Sequence, residues 1–422
     1  MIDKRQISLI WLGTMIGASS VFIINIIIAR SLSVSEFGTF STIYSIATMS
    51  SIVASFGFSQ FLLNVFGKDG WEALNWLRPF FKSQFILLSI VLLTIFIWAY
   101  MGPNDKSTRL LIVIMSLYGV SQVMTEITVS KLQLEENFSV LALTQATPNL
   151  SRLIIFVVLF YFSNITASVL NVAVVYAISS IAVIIFCFHQ INRFKGNKLK
   201  LKGHLQSAPT FKENYSVEAV FKKTWPYGLA SLFAFIYVQI DIMMVKYISG
   251  SNQAGLYSVA YNFFAASTLL PNVLYQKYLL PKYHRWSNSD IDKLREAYKY
   301  GYKAMLSFGI GIMILIVILS NKLVPLVFGF RYANSVVLVN IISIAIPISY
   351  LAYNAGAILA TEKYIKVKVF IMAITAVINM LLNIILIPLL SGIGAAISSI
   401  ISYLVLFAMY SYVVHKKILR MV

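Results

Sequence analysis

The chain has 422 residues, of which 59% are hydrophobic and 12% charged, with a mean hydropathy of +0.80; no water-soluble surface can carry that balance. A spanning helix needs about 20 apolar residues, so the chain has room for roughly a dozen spans and no large soluble domain. Its net charge of +19 would indicate nucleic acid in a soluble protein, but here it is explained by the gathering of basic residues in cytoplasmic loops, and no nucleic-acid partner is expected.

Apolar runs bounded by charged or turn-forming residues predict an all-α polytopic membrane protein with twelve spans. In chain order they cover 7–30, 38–64, 81–101, 109–130, 138–162, 166–190, 224–248, 255–280, 301–320, 335–360, 367–388 and 393–414. The first run exceeds a signal-peptide core and reads as a helix that stays. The longest stretch without a spanning pattern is 191–223, a basic segment with eight Lys and Arg. No G-x-x-x-x-G-K-[ST] phosphate cradle occurs, which excludes an ATP-driven pump in one chain but not an ATPase partner. The single cysteine, Cys187, and the scattered His189, His204, His284 and His415 leave no metal site, disulfide or cofactor to expect.

An even number of spans returns both termini to one side. With that side taken as cytoplasmic, 27 of the 34 Lys and Arg fall on inner segments, five on outer loops and two within spans, which fixes the orientation. Two inner loops, before the third and ninth spans, carry short amphipathic patterns: Trp71, Leu74 and Leu77 before Pro79, then Ile291, Leu294 and Tyr298 behind a Ser289 cap. Both are expected to lie on the inner interface as anchors or levers.

The sequence repeats itself at long range. Glu36-Phe-Gly38-Thr-Phe40-Ser-Thr-Ile-Tyr44 returns as Gln253-Ala-Gly255-Leu-Tyr257-Ser-Val-Ala-Tyr261, and Ala-Ile-Ser-Ser-Ile stands at 177–181 and again at 396–400. Six spans separate the copies, so the halves share one orientation and form a parallel repeat. The expected organisation is a six-helix bundle over 1–190, a basic cytoplasmic linker over 191–223 and a second bundle over 224–422.

Charges inside spans cost at least about 2.5 kcal/mol each and need a reason. Arg152 lies near the middle of the fifth span, on one helical face with Asn149, Pro148, Gln145 and Thr144. That face suits either a water-filled cavity or a packing contact with another helix. Glu126 and Asp241 are the only acids within spans, each about 7–9 Å from the midplane on opposite sides of it. Either acid is placed to pair with Arg152, or to carry a proton or cation as an ion-coupling group. Arg30 and Lys246 occupy equivalent positions near the outer ends of the first and seventh spans, as snorkelling side chains or as a cationic outer mouth. Polar stripes run along the second span (Ser41 to Ser59), the eighth (Ser258 to Asn272), the tenth (Asn340 to Asn354) and the eleventh (Thr375, Asn379, Asn383). Each stripe alone serves helix packing as well as a pathway. Together they describe a cavity suited to hydroxyls and anions, as sugars and phosphates offer. Candidate substrate-binding residues are therefore Arg152, Arg30, Lys246, Gln145, Asn149, Asn272, Asn379 and Asn383.

Five short motifs in order carry a family resemblance: R-S-L-S-V-S-E-F-G-T-F-S from Arg30; D-I-M-M-V-K-Y-I from Asp241, with A-G-L-Y-S-V-A-Y after it; V-F-G-F-R-Y-A-N-S from Val327; A-T-E-K-Y from Ala360; and I-P-L-L-S-G-I-G-A-A-I-S-S from Ile387. They resemble the polysaccharide-exporter branch of the multidrug/oligosaccharidyl-lipid/polysaccharide superfamily. The resemblance implies a Wzx-type flippase, not an enzyme, in the bacterial cytoplasmic (inner) membrane. It would move an undecaprenyl-diphosphate-linked oligosaccharide, such as an O-antigen unit of lipopolysaccharide, to the outer leaflet by alternating access. Membrane lipids, the polysaccharide polymerase and chain-length machinery are the implied partners. Lipid II flippases of this superfamily usually have two further helices, which the span count lacks. A small-solute or drug exporter of the same fold is the alternative, although the few acids disfavour organic cations. A membrane glycosyltransferase fits less well, since the short outer loops hold only Glu36 and Asp105 as acids.

Overall fold

The computed structural model describes residues 4–162, 167–195, 199–202, 215–280, 282–283, 286, 290–361 and 364–419. Among these there are helices and turns and no strand. Ser289 and the basic residues Lys198 and Lys212 lie outside the described residues. Ten helical stretches are long and apolar enough to cross a membrane, and one of them, Val34–Met101, is 68 residues long, well beyond a single crossing. Large apolar side chains along it, among them Phe85, Ile90, Leu93 and Phe96, are exposed, as a lipid-facing surface requires.

The chain packs as two compact units, one of Met1–Leu32 with Ile43–Leu232, the other of Ser33–Thr42 with Phe233–Val422. The first contains helices α1 (Lys4–Ser31), most of α2 (Val34–Ser55), α3 (Phe58–Asp69), α4 (Leu77–Met101), α5 (Lys106–Leu134), α6 (Phe138–Val157) and α7 (Val169–Lys195), and the start of α8 (Val217–Ser249). The second contains the rest of α8, α9 (Ser251–Val273), α10 (Ile291–Phe328), α11 (Ser335–Ser343), α12 (Ala345–Ile358), α13 (Ile365–Leu390) and α14 (Gly392–Val414).

Four elements differ from the sequence expectation, each for an identifiable reason. The run predicted as one span over 38–64 breaks at Phe56 and Gly57, whose φ angles are 33° and 73°, a left-handed turn that ends α2. Packing demands glycine there, because a Cβ would lie 2.6 Å from Tyr227 Cβ and 2.7 Å from the Gly228 nitrogen on α8. The first interfacial helix is a 3-10 turn, Gly70–Trp76, with Leu74 and Leu77 buried in protein. Trp76 stacks on Tyr215 at 3.6 Å between ring centres, and Lys223 Nζ sits 4.1 Å from its ring centre. The second interfacial helix is the first part of α10, continuous with the ninth span; Leu294 and Tyr298 are buried. Its cap is Asp290, whose side chain accepts from the Lys293 amide. The expected tenth span is divided at Ile344 into α11 and α12, three residues before Pro347, where the ring removes a helical donor.

In the second unit the glycines of the repeated motif meet. A Cβ on Gly38 would collide with the Ser251 carbonyl, and one on Gly255 with the Val34 carbonyl. Thr39 Oγ1 donates to Ser251 Oγ at 3.1 Å across the same crossing of α2 and α9.

Candidate functional site

Arg152 stands on α6 with 1% of its surface exposed. An enclosed guanidinium needs donors satisfied and charge balanced. Its Nε donates to Ser179 Oγ on α7 at 2.7 Å and its Nη1 to Asn149 Oδ1 at 3.1 Å, while Nη2 is buried without a hydrogen-bond partner. The ring centres of Tyr118 and Tyr176 each lie 5.0 Å from its central carbon, and Tyr118 donates to the Tyr44 hydroxyl at 3.1 Å. Phenol faces thus supply the negative potential that an acid would have given. Of the two alternatives for the acids, an ion pair of Arg152 with Asp241 or Glu126 is absent among the described residues; the guanidinium is held by two rings, a hydroxyl and an amide.

In front of this cluster lies a cavity of about 480 Å³ in the first unit, between α3, α5 and α6, with Glu126, Gln145 and Asn149 in its wall. Four further side chains, Gln60, Gln122, Gln133 and Thr144, add amides and a hydroxyl to the lining. Glu126 is exposed to this space and is the only charged lining group among the described residues. The α6 wall is oriented from behind. Asn149 Oδ1 is taken by Arg152, and Gln145 Oε1 accepts from Thr14 Oγ1 at 3.4 Å, so both amide oxygens are engaged by neighbouring side chains. The amides and hydroxyls of the lining together with the Glu126 carboxylate are a set that suits a hydroxyl, which both accepts and donates.

Asp241, fully buried on α8, is the centre of a second cluster. Tyr257 on α9 donates to it at 2.8 Å, Asn383 Nδ2 on α13 at 2.6 Å, and Ser399 on α14 donates to the same carboxylate. Asn383 Nδ2 also reaches Asn379 Oδ1 at 3.2 Å, and Asn383 Oδ1 is left buried without a partner. The structure therefore brings Asp241, Asn379 and Asn383 together, as it does Arg152 with Asn149. Of the remaining candidates, Arg30 is exposed at the end of α1, Lys246 lies 5.2 Å from the Tyr247 ring centre, and Asn272 lines a separate cavity in the second unit. In the stripe of the tenth span, Asn354 and Tyr350 join helices: Asn354 accepts from Tyr275 and donates to the Tyr298 carbonyl, and Tyr350 donates to the Ser267 carbonyl.

Sequence reasoning finds the two buried charges but not their partners. A signal was available, because the repeated Ala-Ile-Ser-Ser-Ile string supplies a serine to each cluster, Ser179 to Arg152 and Ser399 to Asp241. No group of three or more His, Cys, Asp or Glu occurs among the described residues.

The family model described as "Polysaccharide biosynthesis protein" matches residues 4–284. The chain belongs to this polysaccharide biosynthesis family. A Staphylococcus aureus relative, capsular polysaccharide biosynthesis protein CapF, is 25% identical over 334 residues, covering 77% of this chain and 78% of its own length. The fold is shared with solved transporters. Lipid II flippase MurJ in an inward closed conformation superposes with a TM-score of 0.72 at 15% identity, over 96% of this chain and 87% of that one. An inward-facing multidrug resistance MATE family transporter of the MOP superfamily gives 0.72 at 13% identity, over 94% and 95%. The chain is thus a multi-pass membrane member of the polysaccharide biosynthesis family with a MOP-type transporter fold, as the five sequence motifs anticipate.

Proposed function

We propose that this family member is a flippase that turns an undecaprenyl-diphosphate-linked oligosaccharide, an O-antigen or similar repeat unit, from the cytoplasmic to the outer leaflet of a bacterial inner membrane. The single observation that carries the reading is the amide-lined cavity of the first unit, in a chain whose family model is one of polysaccharide biosynthesis. Twelve crossings with both termini cytoplasmic follow if the 68-residue stretch Val34–Met101 crosses twice and the more polar α9 crosses as well. The parallel repeat then lets one bundle, 1–190, rock against the other, 224–422, with 191–223 joining them.

In this reading Gln145, Asn149 and Glu126 meet sugar hydroxyls, and Arg152 acts through Asn149, whose amide oxygen it holds. Arg30 and Lys246 attract phosphate at the outer side. Asp241, with Asn379 and Asn383 around it, carries the coupling ion. No chemical step is assigned to the protein. Liposomes containing the purified chain and fluorescent lipid-linked oligosaccharide test the proposal: protein-dependent equilibration of label between leaflets is expected, and label that stays in its starting leaflet overturns it. One observation favours a second reading. Among the described residues the only charged group in the cavity wall is Glu126, which would also suit a small organic cation, so uptake of a cationic dye by the same liposomes, without lipid movement, would indicate an exporter.

A further inference from the structure

The second unit holds a cavity of about 210 Å³ whose polar lining is unlike that of the first. Tyr237 on α8, Asn272 on α9, Tyr353 on α12, Lys368 on α13, and Tyr403 and Tyr410 on α14 converge on it. By sequence Lys368 is one more inner-side cation of the topology signal, at the start of the eleventh span. In the structure its side chain turns into the cavity, and no acid pairs with it among the described residues. Tyr410 is 2% exposed, and its hydroxyl is buried with no hydrogen-bond partner. The hydroxyls of Tyr237, Tyr353 and Tyr403 make no hydrogen bond with described residues either.

An ammonium and four phenol hydroxyls that find no protein acceptor form a set of donors without an anion. The remaining wall is apolar, including Val238, Met372 and Leu406, except for Ser349, whose hydroxyl donates to the Ile346 carbonyl, and a low local dielectric strengthens attraction between Lys368 and a negative ligand. A cation would meet the ammonium, and a neutral sugar would leave it uncompensated. We infer that this cavity is a phosphate site: Lys368 supplies the charge and Tyr410, with its neighbouring phenols, donates to the phosphate oxygens. Resting on the flippase reading, the ligand is the diphosphate of the lipid-linked substrate; a phospholipid headgroup offers the same chemistry from another source.

Binding of radiolabelled undecaprenyl diphosphate to the full-length protein in detergent micelles tests this, with undecaprenol as the phosphate-free control. Lys368→Met is expected to weaken diphosphate binding at least about tenfold, Tyr410→Phe about threefold, and Lys368→Arg less than either, since charge-assisted bonds are the strong ones. Undecaprenol binding should not change, and inorganic diphosphate should compete. Each variant is first shown to elute and melt like the wild type, with Lys368→Gln replacing the Met variant if that one does not. Equal diphosphate binding by wild type and the Lys368 variants overturns the site. Displacement by phosphatidylglycerol at the concentrations at which diphosphate acts overturns the substrate assignment and gives the site to a lipid headgroup. The two readings separate cleanly: protein that binds diphosphate through Lys368 yet moves no oligosaccharide in liposomes keeps the site and loses the flippase, whereas oligosaccharide movement unaffected by Lys368→Met does the reverse.

Discussion

A guanidinium clamped between Tyr118 and Tyr176 and bonded to Ser179 and Asn149 is replaceable neither by a small side chain nor by a point charge. Arg152→Ala should still insert but lose transport, because Asn149 is released and two phenol faces are left around a void. Arg152→Lys keeps the charge near the rings but cannot reach Ser179 and Asn149 in the same fork geometry. A hydrogen bond to a charged group contributes about 1.5–3 kcal/mol, so Lys should recover only part of the rate of lipid movement in liposomes. Full transport by correctly inserted Arg152→Ala would remove Arg152 from the mechanism. Asp241→Asn is expected to leave substrate binding largely intact and to abolish the dependence of transport on an imposed ion gradient; unchanged gradient dependence would transfer the question to Glu126 or to a downhill process. The amide also places donors against Tyr257, Asn383 and Ser399, at about 1–3 kcal/mol for a donor left unpaired, so a melting curve belongs beside the transport assay. Both charges are legible in sequence because a span cannot carry a charge without cause. Their surroundings are not, since Tyr118 and Tyr176 read as ordinary span aromatics until α5, α6 and α7 pack around Arg152.

Helix ends follow sequence where a local cap decides them, and depart from it where tertiary packing does. Asp105 caps α5: its carboxylate accepts from the Ser107 amide and the Thr108 hydroxyl. The Thr108 hydroxyl, above all, holds this carboxyl below the ordinary aspartate range. The sign is that of a depressed acid: the stabilisation is complete above the unfolded-state pKa and fades as pH falls through the folded one. Asp105→Ala should therefore lower the melting temperature at neutral pH by the equivalent of about 1 kcal/mol, and the difference from wild type should shrink on acidification below the aspartate range. A pH-independent difference would mean that the residue acts by packing instead. By contrast, Trp71, Leu74 and Leu77 have the period of an interfacial helix, yet Leu74 and Leu77 are buried because Trp76 is drawn onto Tyr215, more than a hundred residues away in sequence. Ile291, Leu294 and Tyr298 likewise have the period of a separate helix. Their pattern is real, but nothing between Tyr298 and Gly301 terminates a helix, so α10 runs on for 38 residues.

At the scale of the whole molecule, the repeat makes a prediction about motion. Alternating access requires that the outer ends of the two bundles part in one state and meet in the other, and the two copies of the repeated motif lie at those ends in the proposed topology. If the moving bundles divide as 1–190 and 224–422, the crossing of α2 and α9, where Gly38 and Gly255 admit no Cβ and Thr39 touches Ser251 at 3.1 Å within the second compact unit, is the contact that such motion would have to release. Its close backbone approach depends on the two glycines, with the Val34 side chain packed against Gly255. With Cys187 replaced by serine, the pair Thr39→Cys and Ser251→Cys should cross-link under mild oxidation and bring lipid movement in liposomes to background. Reduction should restore it, and neither single cysteine should have an effect. A cross-linked protein that turns over at the uncross-linked rate would show that Ser33–Thr42 stays on α9 throughout the cycle, and rocking of the bundles would have to be abandoned for a mechanism in which the lipid-linked oligosaccharide passes while this contact remains closed.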